Sequence, residues 1–207
     1  MTSKRKGSMT LAEHDALLKA EGRYDAMIER QQQQDAQLQR RVSELRRAEA
    51  PLLEELRAAG CTVESAWDLV NTTASYSGAL SILLDHLPRP YPGAVREGIA
   101  RALAVRDAKF AWDALTRLYR EEQEERVKDG LAVAIAAVAD AELIGEVIAL
   151  ARDPRHGSSR LLLLSALERS ADPRAKAALM ELGTDPDLTK EVQVILRRLR
   201  RAERKTR

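Results

Sequence analysis

The chain has 207 residues and a formal net charge of +2, and its 44% hydrophobic residues are enough to bury a substantial core. Only 3% of the residues are aromatic, so that core must consist of Ala, Leu, Val and Ile, which is typical of helices packed on helices. The single cysteine, Cys61, excludes an intramolecular disulfide and a zinc site built from four thiolates.

The first residues are basic and polar, and no apolar segment of the kind that directs export follows them. The longest apolar run, residues 131–139, is far shorter than the roughly 20 residues that span a bilayer. We therefore expect a cytoplasmic protein without membrane association, and a disordered lead-in over residues 1–10.

Residues 11–50 predict a long amphipathic helix with an apolar seam that advances in alternating steps of three and four. Gln31 and Asp35 interrupt the seam with polar side chains. The apolar positions of the seam are Leu17, Tyr24, Ile28, Leu38, Val42, Leu45, Leu52 and Leu56. Two interpretations stay open: a coiled coil that forms a homodimer through residues 11–50, or a helix that packs on the rest of its own chain.

Pro51 predicts a boundary, because a proline inside a helix loses a backbone hydrogen bond and clashes one turn back. Residues 51–74 then read as a helix pair, with Gly60 as a helix stop and Thr62 as the N-cap of the next helix. Trp67 lies 32 residues before Ile99, so this pair is a degenerate first repeat.

From about residue 80, apolar residues return every 32 residues. One column is Ile99, Leu131, Leu163 and Ile195; a second is Leu103, Ile135, Leu167 and Leu199; a third, in the preceding helices, is Leu83, Leu115, Val147 and Leu179. A helical period of this size predicts stacked helix pairs that cannot bury their apolar faces singly. The fold class predicted is all-α: a right-handed α-solenoid over residues 51–202, with about four repeats after the degenerate first pair, and a basic tail over residues 203–207.

The repeated segments resemble second helices of HEAT repeats, of the short kind named for phycobilisome lyases. The residues that carry this resemblance are Val95-Arg96 with Ile99-Ala100 and Ala102-Leu103, Val127-Lys128 with Leu131-Ala132 and Ala134-Ile135, and Asp153-Pro154 before Ser159-Arg160. The resemblance covers about residues 79–199 and implies a solenoid, but its motifs carry almost no information about function. The last unit departs from the pattern, with Glu191-Val192 where Val-Arg is expected.

No residue is predicted to be catalytic, to bind a cofactor or to ligate a metal. His14, His86 and His156 lie in different segments, and the sequence has neither a glycine-rich phosphate loop nor a nucleophile elbow. Trp112-Asp113 resembles the aromatic and acidic residues that alkylpurine DNA glycosylases built from helical repeats use. Trp112, however, shares the 32-residue column of Leu80 and Ile144, which favours core packing.

Six basic residues form the candidate binding face. Arg96, Lys128 and Arg160 recur at 32 residues and are either a ladder of ion pairs and hydrogen bonds to loop carboxylates such as Asp153 or a phosphate-binding stripe. The others, near the C-terminal end of the sequence, are Arg197, Arg198 and Arg201.

The sequence therefore predicts a non-catalytic scaffold that binds a protein partner in the groove lined by its second helices. The alternative is a nucleic-acid-binding repeat protein that uses the basic face and tail. Without interleaved aromatic residues, such binding would be weak and unspecific in sequence.

Overall fold

In the computed structural model, the described residues are 10, 12, 17, 19, 20 and 22–205. The chain divides into two compact units, Met1–Glu44 and Leu45–Arg207. All regular secondary structure in the described ranges is helical, as predicted. The predicted lead-in of residues 1–10 falls almost wholly outside the described residues, as do residues 206 and 207.

The α-helices are α1 (Tyr24–Ala58), α2 (Ala66–Val70), α3 (Leu80–His86), α4 (Gly93–Ala102), α5 (Trp112–Glu121), α6 (Glu125–Val138), α7 (Ile144–Arg152), α8 (Arg160–Arg169), α9 (Pro173–Leu182) and α10 (Thr189–Lys205). Short 3-10 helices cover Ser77–Ala79, Arg106–Ala111 and Pro154–Ser159. None of the helices in the described part of the chain is long and apolar enough to cross a membrane.

The first unit contributes the N-terminal half of α1. Gly22 has a φ of 64°, in the left-handed region that favours glycine, and it interrupts the predicted helix: the described residues Ala12, Leu17, Lys19 and Ala20 before it are helical, and α1 begins at Tyr24 after it. Residues 31–44 of this helix are exposed, including the polar tract of Gln31 to Gln34 and the apolar side chains of Leu38 and Val42.

The predicted boundary at Pro51 is wrong, because α1 continues through it to Ala58. An interior proline costs a helix about 3 kcal/mol. The complete burial of Leu52 and Leu56 stabilises the fold by about 1.5 to 3 kcal/mol for each side chain, which offsets that cost. Pro51 and Arg47 are exposed, so water can bind the Arg47 carbonyl that the proline leaves without a donor.

The turn between α1 and α2 is organised by Ser65 and not by Thr62. Ser65 and Asp68 form a capping box, in which the side chain of each residue accepts a hydrogen bond from the backbone N–H of the other. The buried Glu49 of α1 accepts a hydrogen bond from the Ala66 backbone N–H at 2.6 Å and another from the Ser65 hydroxyl. Burial raises the pKa of the Glu49 carboxyl, although these hydrogen bonds act in the opposite direction.

The 32-residue columns are the core of the second unit. The members of the first and third columns are all buried, and so are Leu103, Ile135 and Leu167, whereas Leu199 is half-buried. Helices α2, α4, α6, α8 and α10, which we call the second helices, contact one another in that order. Each of α4, α6, α8 and α10 also packs on the helix that precedes it. Leu199 is less covered because α10 contacts a second helix on one side only, α8.

Small residues let the second helices approach closely. A Cβ atom on Gly98 would lie 2.8 Å from Trp67 Nε1, and one on Gly130 would lie 3.0 Å from the Ala100 Cβ. Trp67 also donates its indole N–H to the Ala94 carbonyl at 3.1 Å. Helices α1 and α2 therefore do not form the separate pair predicted over residues 51–74, and α2 is joined to α4 through Trp67, which lies 32 residues before Ile99.

We expect Leu163→Ala to destabilise the protein by about 2 to 5 kcal/mol, since Leu163 is fully buried and the change leaves a cavity. Denaturant unfolding followed by circular dichroism measures the change. Leu162→Ala is the matched control, because the neighbouring Leu162 is only half-buried and should cost much less. Equal midpoints for the two variants would contradict the 32-residue register.

Candidate functional site

Arg96, the first member of the basic column, is held by the next helix pair. Its Nη2 lies 2.6 Å from Glu122 Oε2, and its Nε donates to the Leu87 carbonyl at 3.2 Å. Both charged side chains are largely buried. Arg96 therefore joins the start of α4 to the end of α5 and is not free to bind an external phosphate.

Arg160 is the most enclosed cation among the described residues, with 1% of its surface exposed. Its Nη1 donates to Asp185 Oδ2 at 2.7 Å, its Nη2 lies 3.5 Å from Asp187 Oδ2, and its Nε donates to the Gly157 carbonyl. The Arg160 guanidinium, helped by the Asp187 backbone N–H, holds the pKa of Asp185 below its usual range. The predicted loop carboxylate Asp153 instead pairs with Arg155.

Lys128 is half-buried between these two arginines along the column. Its Nζ donates to the Glu122 carbonyl at 3.1 Å and lies 5.4 Å from the ring centroid of Tyr119. Burial raises the pKa of Tyr119 to about 12, so its hydroxyl stays neutral and hydrogen-bonds to Ser159. All three residues of the column thus have partners inside the fold: Arg96 and Arg160 pair with carboxylates, whereas Lys128 donates to a backbone carbonyl.

Both histidines in the described ranges are buried and contact other side chains of the fold. His86 is buried, with Nδ1 2.7 Å from the Tyr91 hydroxyl and Nε2 3.0 Å from Glu55 Oε1. His156 is buried against the Tyr119 ring, and burial lowers its pKa. Within the described ranges no three His, Cys, Asp or Glu side chains converge as metal ligands would. His14 lies outside the described residues.

Trp112 is 6% exposed and packs in the core with the buried Leu80 and Ile144 of its column. Asp113, beside it in sequence, is exposed. The two side chains therefore do not form a joint surface site. A glycosylase-like use of Trp112-Asp113 has no support in this geometry.

Two adjoining depressions lie beside the second helices. One, of about 400 Å³, is lined mainly by residues 69–80 together with Arg101, Ala104 and Val133, and the other, of about 510 Å³, is lined by residues of α6, α8 and α10 together with Ala104. Both are lined by Ala104 and Val133. We call this surface the second-helix face and define it by Arg101, Ala104, Val133, Ala137, Leu161, Leu162 and Ser165. These side chains are half-exposed apart from Ser165, which is exposed. Sequence reasoning predicted a groove along the second helices but not these residues, although Arg101, Val133 and Ser165 are themselves 32 residues apart.

Most charges around the second-helix face are already paired. Glu97 lies 3.0 Å from Arg101 and 3.5 Å from Arg126, and Glu168 lies 3.5 Å from Arg198. Asp129 differs, because burial and the neighbouring carboxylates raise its pKa and its Oδ1 makes no hydrogen bond in the structure. The face is therefore apolar at its centre, where Ala104 and Val133 lie, and Asp129, whose Oδ1 is buried, lines neither depression.

The C-terminal arginines lie on α10, which continues through residues 203–205 of the predicted tail. Arg197, Arg198 and Arg201 are exposed, and Arg198 pairs with Glu168. Arg197, Arg201 and Arg204 follow one another at helical spacing, so they share one side of α10, which we call the arginine stripe. This stripe is separate in sequence and in environment from the buried basic column.

We expect Arg160→Met to lower the denaturation midpoint clearly, because it leaves Asp185 without its main partner. Arg155→Met is the control, since Arg155 makes a similar pair with Asp153 but its side chain is 86% exposed.

The pH dependence of stability gives a second test of the Arg160–Asp185 pair. A carboxyl with a depressed pKa stabilises the fold above its unfolded value, about 3.9, and loses that contribution as pH falls through its folded value. Stability of Arg160→Met should therefore fall less steeply below about pH 4 than that of the parent.

No protein-family model matches the chain, and comparisons with curated proteins and with solved structures found no match either.

Proposed function

We propose that the chain is a non-catalytic protein-interaction scaffold whose helix pairs form a right-handed solenoid of HEAT-like repeats. The 32-residue columns and the ordered contacts between second helices support the repeat interpretation. The single cysteine favours a reducing compartment, so we place this activity in the cytoplasm.

The observation that carries the proposal is the pair of adjoining depressions on the second-helix face. Val133 lines both of them, and Leu161 and Leu162 extend the apolar surface towards α10. Concave apolar surfaces bordered by a few polar groups are what protein segments dock into. Because the neighbouring charges largely neutralise one another, apolar side chains fit this face better than phosphate groups do.

The partner's chemistry follows from the lining. Apolar side chains would fill the depressions beside Val133 and Leu162. Affinity that comes mainly from apolar contact should survive high salt, since screening weakens charge pairs and not hydrophobic burial.

We expect the double substitution Val133→Glu with Leu162→Glu to weaken partner binding at least about tenfold, a loss of about 1.4 kcal/mol. The partner is first identified by capture from the native host and mass spectrometry, and is then purified and titrated calorimetrically at low and high salt. Met180→Glu is the matched control, because Met180 is also an apolar side chain. It lies on α9 and is 62% exposed. Equal affinities for both variants, with both still folded, would contradict the proposed face.

A second candidate function, nucleic-acid binding, is favoured by the arginine stripe of α10 alone. We infer that such binding would be electrostatic and unspecific in sequence, through Arg197, Arg201 and Arg204. Arg96, Lys128 and Arg160 contribute little to it, since their partners lie within the fold.

Replacing Arg197, Arg201 and Arg204 by Gln should reduce the slope of log affinity against log salt by about 0.9 for each duplex phosphate that the variant no longer neutralises. Fluorescence anisotropy with a labelled DNA duplex measures the slope. A variant with Arg40, Arg41 and Arg47 of α1 replaced by Gln is the control, because it removes the same charge from equally exposed positions. Equal slopes for the two variants would contradict binding by the stripe.

A further inference from the structure

The seam of α1 is covered in one part and open in another. Its downstream positions belong to the second unit, where Leu52, Leu56 and Glu49 are buried and Leu45 is partly buried. Its upstream positions belong to the first unit, where Leu38 is 62% exposed and Val42, Gln31 and Asp35 are exposed. Tyr24 and Ile28 are half-buried, and Lys19 Nζ lies 4.5 Å from the centroid of the Tyr24 ring. Six consecutive seam positions therefore present a stripe with apolar ends and a polar middle.

The order of residues in this stripe is nearly the same in both directions. Read outward from Gln33, Gln31 mirrors Asp35, Ile28 mirrors Leu38, and Tyr24 mirrors Val42. We propose that residues 24–42 pair with the same segment of a second copy of this chain in antiparallel orientation. Apolar residues then meet apolar residues at both ends, and each Gln31 meets Asp35 of the second copy in the two central layers.

Charge decides between this arrangement and a parallel one. In a parallel pair each seam residue faces its own copy, so two Asp35 carboxylates would meet inside the interface and repel each other. Arg41 and Arg46 would also face one another along the flank, because those positions adjoin across a parallel pair. In the antiparallel pair the Gln31 amide donates to the Asp35 carboxylate, and Arg41 lies beside Met27. The polar layer thus sets both orientation and register.

The segment is about 28 Å long at 1.5 Å per residue, so the contact is small. Two chains joined through it form a reversible dimer at the low end of interface sizes. This association uses neither the second-helix face nor the arginine stripe, so it is independent of the proposed functions.

The orientation is tested by disulfide cross-linking of the full chain in a Cys61→Ser background, which removes the only native thiol. Ile28→Cys mixed with a differently tagged Leu38→Cys should give a cross-linked heterodimer under mild oxidation. Leu38→Cys alone should not cross-link, because its two copies lie about 15 Å apart along the antiparallel pair. Self cross-linking of Leu38→Cys without the mixed product would overturn the antiparallel orientation.

The interface itself is tested by sedimentation equilibrium over about 5 to 500 μM, a range suited to a small contact. Gln31→Asp places two carboxylates in each central layer and should weaken the dimer at least about tenfold at pH 7. Gln33→Asp, the matched control, adds the same charge on the opposite side of α1 and should leave the dimer nearly unchanged. A parent chain that is monomeric throughout, or equal effects of the two substitutions, would overturn the proposal.

Discussion

The rest of the structure depends on one constraint, which is that each central second helix must bury apolar side chains against a second helix on both sides. Leu131 and Leu163 are fully buried because α6 lies between α4 and α8, and α8 lies between α6 and α10. A fixed step of 32 residues keeps those positions in line, and glycine at 98 and 130 lets the backbones come close enough. Once this column is set, the side of each helix that remains outward is also set, which is how Val133 and Ser165 come to lie on one face.

Charged side chains recur at the same 32-residue spacing, but this spacing does not determine which partners they have. The sequence placed Arg96, Lys128 and Arg160 in one column, and a regular ladder would give each a carboxylate from the next loop. Arg160 pairs with Asp185, which lies 25 residues later in the sequence. Arg96 pairs with Glu122, which lies 26 residues later, so the two pairs do not share one spacing. Asp153 lies 25 residues after Lys128, as the Arg160–Asp185 spacing requires, but it pairs with Arg155 of its own turn. Local turn chemistry competes with long-range pairing, and sequence spacing alone does not decide which one wins.

The parts of the fold that were predicted are those that a period makes visible: the all-helical class, the buried columns and the core position of Trp112. The errors lie where tertiary burial outweighs local preference. Pro51 did not end α1 because Leu52 and Leu56 bury so much surface, and Ser65 displaced Thr62 as N-cap because Asp68 completes its capping box. The second-helix face escaped prediction for a different reason: apart from Arg101 and Ser165, its residues are half-exposed small and branched apolar side chains, with no motif that separates a binding surface from an ordinary one.

The seam of α1 shows how one helix can satisfy its polar seam residues in two ways. Glu49 occupies a buried seam position, and the Ala66 N–H and Ser65 hydroxyl of the same chain supply the donors that a buried carboxylate requires. Asp35 occupies an equivalent position two heptads upstream, where the seam is exposed and water supplies those donors. Covering the upstream seam with an apolar surface would remove that water and leave the carboxylate unsatisfied, which is costly. An occupant that brings an amide donor opposite Asp35 avoids this cost, and Gln31, mirrored across Gln33, is such a donor in a second copy of the chain itself.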